Sequence, residues 1–284
     1  MSDSQAHSPI PQSNLPAVPL TLDGSSVLHQ MVVFNWSAWR ELPEDEQQEI
    51  LDEAVPALTA MEGKNSALFS MLGHKGDLMF VHFRDSFDAL NQAELDLTKL
   101  RLNDFLEVQT SFLSVVELGL YESTVKLYRE LVAAGIAPQS DAWREKVNET
   151  LARQKEAMRT RLFPQIPDSR YVCFYPMDRR RGESKNWYTL PIEERQRQMH
   201  EHGMVGRRYA DGVRQIITGA IGFDDWEWGV DLFAEDPLVF KRLIYEMRWD
   251  EVSAVYALFG DFFVGMRLHA KDLAHWTAGE LPNK

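Results

Sequence analysis

Cysteine is almost missing: Cys173 is the only one in 284 residues. An intrachain disulfide is thereby excluded, as is any zinc or iron–sulfur centre that needs several thiolates. A reducing, cytoplasmic setting is expected. Positive charge is scarce too, with 30 Lys and Arg against 43 Asp and Glu, a formal net charge of −13. Nucleic acid is disfavoured as a partner, because phosphate binding needs a basic face that an acidic chain must build against its own field. A small anionic ligand stays open where arginines converge. No run of 18 apolar residues occurs, which argues against a membrane span, and the opening MSDSQAHSPIPQSNLPAVP has neither the basic start nor the apolar stretch of a signal peptide. HExxH, GxGxxG and Walker patterns are likewise absent. A soluble chain is left, 44% apolar and long enough to bury a large core.

What is present is a repeated order of elements. Residues 1–20, rich in Pro, Ser and Gln, bury too little apolar surface to offset ordering entropy and read as a disordered leader. An apolar run at 28–36 precedes a helical pattern from about Pro43 to Met61, and strand-like runs at 66–72 and 77–84 flank a Gly-His-Lys-Gly turn at 73–76. A helix over about 86–102 and a strand around 110–121 complete β-α-β-β-α-β. Helices at about 123–134 and 140–160 intervene. The order then returns: a strand at 170–176, a helix opened by Pro191 and closed by Gly203, strands at 214–222 and 226–234, a helix with Asp236 as N-cap and Pro237 at N1, and strands between Ser253 and Leu268. We expect an α+β chain of two ferredoxin-like repeats whose open sheets cover one another as a dimeric α+β barrel within one chain. The divisions are a scaffold unit at 21–122, connecting helices at 123–169, a second unit at 170–270 and a loose tail at 271–284.

The second unit carries the chemistry. The stretch YVCFYPMDRRRGESKNWYTLPIEERQRQMHEHGMVGRRYADGVRQIITGAIG, from Tyr171 to Gly222, strings a redox-capable tyrosine, a basic cluster and a histidine along a strand, a helix and a strand. In the strand, Tyr171, Cys173 and Tyr175 alternate onto one face, Val172 and Phe174 onto the other. Tyr175 thus lies near the strand's end, where its hydroxyl could reach a ligand in the barrel. His200 and His202 form an H-x-H pair, but on a helix they point about 200° apart and cannot share one ion. Helical periodicity barely separates them. Cys173 reads as a small buried residue. His29, His74 and His82 in the first unit lack a comparable setting.

This stretch, continued through GFDDWEWGVDLFAEDPLVFKRLIYEMRWDEVSAVYALFGDFFVG to about Arg267, resembles the coproheme decarboxylases of the chlorite dismutase-like family, in the branch found in monoderm bacteria. The resemblance implies haem in the second unit, a homopentamer, and transient contact with an iron-inserting chelatase. Histidine directly before glycine selects His202 as the iron ligand. The Tyr-Pro-Met position makes Tyr175 the residue that forms a neutral radical. Arg161, Arg179, Arg248 and Ser253 match contacts to propionates, bound as carboxylates through guanidinium forks and a hydroxyl; the family commonly has lysine where Arg179 stands. Gln215 occupies the distal position where true chlorite dismutases place an arginine, so chlorite chemistry is disfavoured. Trp187 and Trp228 read as core anchors, and Arg180, Arg181, Arg207 and Arg208 as solvated. The implied reaction is decarboxylation of iron coproporphyrin III (coproheme) by hydrogen peroxide at propionates 2 and 4, giving haem b, with the iron porphyrin as both substrate and cofactor. A haem-binding or transfer protein without turnover, a chlorite dismutase- or peroxidase-like haem enzyme and a cofactor-free barrel module stay open beside it.

Overall fold

A computed structural model describes residues 15–281. The first repeat is built from β1 (Thr21–Phe34), α1 (Trp36–Glu41), α2 (Glu44–Glu62), β2 (Ser66–Leu72), β3 (Leu78–Arg84), α3 (Phe87–Thr98) and β4 (Leu106–Gly119). Three helices follow, α4 (Tyr121–Ala133), α5 (Asp141–Ala157) and α6 (Arg159–Leu162). The second repeat comprises β5 (Tyr171–Arg179), α7 (Ile192–Arg207), β6 (Arg214–Gly219), β7 (Trp228–Ala234), α8 (Leu238–Met247), β8 (Ala257–Phe259) and β9 (Phe263–Leu268); α9 (Leu273–Thr277) closes the described chain. Serines open two of the helices as side-chain caps: Ser86 accepts from Ala89 N and Ser140 from Trp143 N, each satisfying an N–H that the first turn leaves free.

All strand pairs are antiparallel, in the order β7-β6-β4-β1-β3-β2-β9-β5-β8, and a β5–β7 pairing closes the ring. Within each half the spatial order is fourth, first, third, second strand, so the expected duplication is what folds. The seams between halves are unequal: β2 and β9 share five residue pairs, β4 and β6 only two. Alternation decides which side chains meet. Val27 and Met31 of β1 and Val172 and Phe174 of β5 point into the barrel, while Val32 and Phe34 meet α2 and Cys173 and Tyr175 meet α8. Inside the barrel, His29 of β1 and Asp231 of β7 are wholly buried, with Nε2 and Oδ1 2.9 Å apart, and the His29 ring stacks on Phe174 at 4.0 Å.

Several expectations are corrected. β1 begins at Thr21, ahead of the apolar run at 28–36. Helix α7 passes through Gly203 to Arg207, because its last turns are held against α8 by an Arg208–Glu246 ion pair at 2.7 Å and by the approach of Gly206 to Met247. Ser253 lies in a π turn, Val252–Tyr256, before β8. The tail is not loose at its start: Leu273 and Trp276 are buried, and the Trp276 indole N–H donates to Ser70 Oγ at 2.9 Å. Most of the expected leader lies outside the described residues, but Leu15 and Leu20 pack against α4 and α5, and Leu20 N donates to Thr124 Oγ1 at 2.9 Å.

Candidate functional site

His202 stands near the C-terminal end of α7, three residues past Met199 and seven past Arg195, so the three share one stripe of the helix. Asp250, just beyond α8, takes up one ring nitrogen: His202 Nδ1 and Asp250 Oδ2 are 2.8 Å apart. The other carboxylate oxygen accepts from Ser253 N at 2.8 Å, and Ser253 Oγ lies 3.5 Å from the same Nδ1. Burial works to raise the Asp250 carboxyl, but the hydrogen bond and charge of His202, with the donors of Ser253, outweigh it and hold the group below the usual carboxylate range. A fixed anion at Nδ1 sets the tautomer and leaves Nε2 free as a metal ligand. His200 is exposed.

Tyr175 is buried in the outer, helix-covered face of β5, not in the barrel interior, since its parity is that of Cys173 and opposite to Phe174. Its ring stacks on Phe262 at 4.6 Å and lies 5.8 Å from Phe259. No hydrogen bond engages its hydroxyl among the described residues. Burial, and then Cys173, push the phenol well above its ordinary pKa, against the opposing pull of Arg248 and Arg179. It is held as the neutral phenol. Cys173 is likewise pushed up, to about 12, by burial and by Asp231, which makes it a packing thiol and not a thiolate ligand.

Arg179, at the end of β5, is buried with no carboxylate at ion-pair distance among the described residues. Its guanidinium lies 5.2 Å from the Trp187 ring, and Nη2 sits 3.7 Å from Met199 Sδ on α7. Its Nη1 has no hydrogen-bond partner among them. Desolvation lowers its pKa from the ordinary value, partly countered by Tyr121 and Asp250. Arg248 is exposed at the end of α8, its guanidinium 3.8 Å over the Phe259 ring that also flanks Tyr175. Gln215 reaches from β6 toward α7: its Nε2 lies 3.5 Å from the position a Cβ on Gly206 would take, one turn beyond His202.

Tyr175, Arg179, His202, Gln215, Arg248 and Ser253 are therefore linked across β5, β6, α7 and the chain after α8: Arg179 through Met199, Gln215 through Gly206, Ser253 through Asp250, and Tyr175 and Arg248 through Phe259. Arg161 does not join them. It is exposed on α6, its Nη1 3.9 Å from Met158 Sδ, and α6 packs on β1. Asp250 and Arg195 escaped the sequence reading. The i, i+4, i+7 spacing of Arg195, Met199 and His202 was a usable signal for the second; nothing local marks the first, because the turn after α8 delivers it. Trp187 is buried, as its core reading requires, and the Trp228 indole donates to Glu117 Oε1 at 3.3 Å. A cleft of about 490 Å³ in the first repeat, lined among others by Lys64, Arg84, Gln92 and Asp96, is remote from these groups. There Arg84 already donates to the carbonyls of Lys64, Asn65 and Phe83 and to Ser66 Oγ.

Comparison with known proteins gives a concordant result. The family profile described as chlorite dismutase matches residues 44–268. A coproheme decarboxylase of Staphylococcus saprophyticus subsp. saprophyticus is 42% identical over 257 residues, 88% of this chain and 94% of that protein. Among solved structures, one described as a novel heme-binding protein from Thermus thermophilus superposes with a TM-score of 0.79 at 37% identity, covering 94% of this chain and all of that one. A variant chlorite dismutase from Candidatus Nitrospira defluvii, 17% identical with a TM-score of 0.66 over 90% of this chain and 96% of its own, shares the fold.

Proposed function

The chain belongs to the chlorite dismutase family, and from that membership we propose that it binds iron coproporphyrin III and oxidatively decarboxylates its propionates 2 and 4 with hydrogen peroxide to give haem b. One arrangement carries the reading: a buried, unpartnered phenol, Tyr175 in the middle of β5, and a buried guanidinium with an orphaned Nη1, Arg179 at its end, share the helix-covered face of the strand, and Arg179 reaches the helix whose His202 keeps Nε2 free. Among the described residues no three His, Cys, Asp or Glu side chains cluster as a metal site. A single imidazole suits an iron that arrives already held by four porphyrin nitrogens. The orphaned Arg179 Nη1 suits a carboxylate.

In this reading each residue has a distinct task. His202 would hold the porphyrin iron from the α7 side, its ring oriented by Asp250. Arg179, Arg248 and Ser253 take propionate oxygens; Arg161, exposed on α6 against β1, is left out of that set. Gln215, reaching from β6, would present an uncharged amide and no fixed cation to retain an oxychlorine anion, which favours decarboxylation over chlorite chemistry. When bound, the iron porphyrin supplies the oxidising power drawn from peroxide. Tyr175 gives up its hydroxyl hydrogen as proton plus electron, and the resulting phenoxyl takes a hydrogen atom from the propionate β-carbon. Loss of a second electron and of carbon dioxide leaves the vinyl group. Per propionate, one peroxide is reduced to two waters as –CH2CH2COOH becomes –CH=CH2 and CO2.

Two further parts of the proposal, a homopentamer and a transient contact with the iron-inserting chelatase, rest on family membership alone. Sedimentation of the purified chain checks the first. No helix among the described residues is long and apolar enough to cross a membrane, and a cytoplasmic site of action is proposed with it. The deciding experiment is anaerobic reconstitution with iron coproporphyrin followed by peroxide titration and product mass. Loss of two carboxyl groups is the expected result. Bound but unchanged porphyrin would make the protein a carrier, and the lack of a Soret band would make it a module without haem.

A further inference from the structure

Arg195 is a second buried guanidinium without a counter-ion. Arg195 is 4% exposed, and the one side-chain hydrogen bond it makes among the described residues runs from Nη2 to the carbonyl of Ala17, in the segment ahead of β1. Its Nε is buried and unpartnered, and no carboxylate of the described residues lies at ion-pair distance. Arg179 likewise has a buried, unpartnered guanidinium nitrogen, Nη1, and reaches the same helix. Its Nη2 touches Met199 Sδ at 3.7 Å, and Met199 is one turn past Arg195 on the same stripe of α7. Tyr121 and Tyr188 lie close enough to both cations to oppose their loss of charge.

Both guanidiniums have lost hydration without gaining a carboxylate of the described residues, a state that an anion completes. The stripe also fixes the anion's distance from the iron ligand. Seven residues at 1.5 Å per residue separate Arg195 from His202, about 10 Å along the axis, and a propionate projects from a porphyrin edge on that length scale.

We propose that Arg195 and Arg179 together form a carboxylate site that receives one propionate of the tetrapyrrole held at His202, with Ala17 O steering the Arg195 fork. This rests on the function proposed above and adds to it a positioning residue that the sequence motif does not mark. The test is equilibrium titration of the ferric porphyrin into apoprotein, read at the Soret band without peroxide, with iron coproporphyrin III and its tetramethyl ester as paired ligands. Arg195→Gln should weaken the tetra-acid about 10- to 150-fold, the worth of a charge-assisted hydrogen bond, and leave the ester unchanged. Arg195→Lys, which keeps the cation and most of the volume, should recover part of the loss and serves as the test if the Gln variant does not fold. Equal weakening of acid and ester would make Arg195 merely structural, and unchanged acid affinity would remove it from the site. Saturable binding of inorganic phosphate through Arg195 with no effect on the porphyrin would assign the pair to a free anion, overturning the proposal. Failure of the wild-type protein to bind iron coproporphyrin would sink the underlying function first, a result distinct from loss in the variants alone.

Discussion

At His202 the two ring nitrogens have separate tasks, one fixed by Asp250 and the other left for iron, and single substitutions can tell them apart. His202→Ala should abolish the axial ligand's spectral signature and peroxide turnover while porphyrin still associates through its carboxylates. His200→Ala, on the exposed side of the helix, should change neither; the reverse pattern would show that the wrong histidine was chosen. Tyr175→Phe removes one hydroxyl and almost no volume. A hydroxyl that only positioned substrate would cost about 1 kcal/mol in binding and a similar factor in rate. The radical role demands near-normal binding with essentially no carbon dioxide released, read by product mass. His82 offers a test unrelated to catalysis. Burial, with Arg84 and His29 nearby, lowers its pKa to about 3, so the unfolded chain binds the extra proton between about pH 6.5 and 3 and stability falls as pH drops through that window. Replacing His82 with Gln should flatten that acid limb in urea midpoints measured across the range. Alternation made it legible that Cys173 and Tyr175 share a face of β5, but not that this face is the outer, helix-covered one rather than the barrel interior. Asp250 was not, because a contact from the turn after α8 to α7 has no period to betray it.

At the scale of elements, one glycine fixes where α6 can lie. A Cβ on Gly24 would stand 1.9 Å from the Leu162 carbonyl oxygen, a backbone atom that cannot swing aside. Gly24→Ala should displace α6 from β1 and cost roughly 1–3 kcal/mol, as overpacking does, in a chemical denaturation midpoint. The hairpin strands of the first repeat were readable to the residue at 66–72, since apolar content and turn chemistry agree there. The end of α7 was misread because a glycine signals a stop only where it adopts positive φ, and Gly203 does not. The π turn holding Ser253 was equally hidden: its sequence VSAVY has strand composition, and the contact of Asp250 with Ser253 N bends it instead.

For the whole molecule, the repeat order in the sequence implied two sheets facing each other, and the hydrophobic period was enough for that. The cross-barrel pair was not, because His29 and Asp231 lie 202 residues apart and each looks unremarkable in its own strand. Asp231→Ala leaves His29 buried without its hydrogen-bond acceptor and should cost about 1–3 kcal/mol, seen as a lower melting temperature of the whole chain in calorimetry. The closed ring has one more consequence, for synthesis on the ribosome. Strands β2 and β4, which flank the first sheet, are covered only by β9 and β6, both of which emerge later. At about 5–20 residues per second, the first half waits several seconds or more with two bare strand edges, a template for pairing with other nascent chains. Release of the chain truncated before β5 should yield aggregate rather than a folded half-barrel, and chaperone dependence should concentrate in that interval of translation.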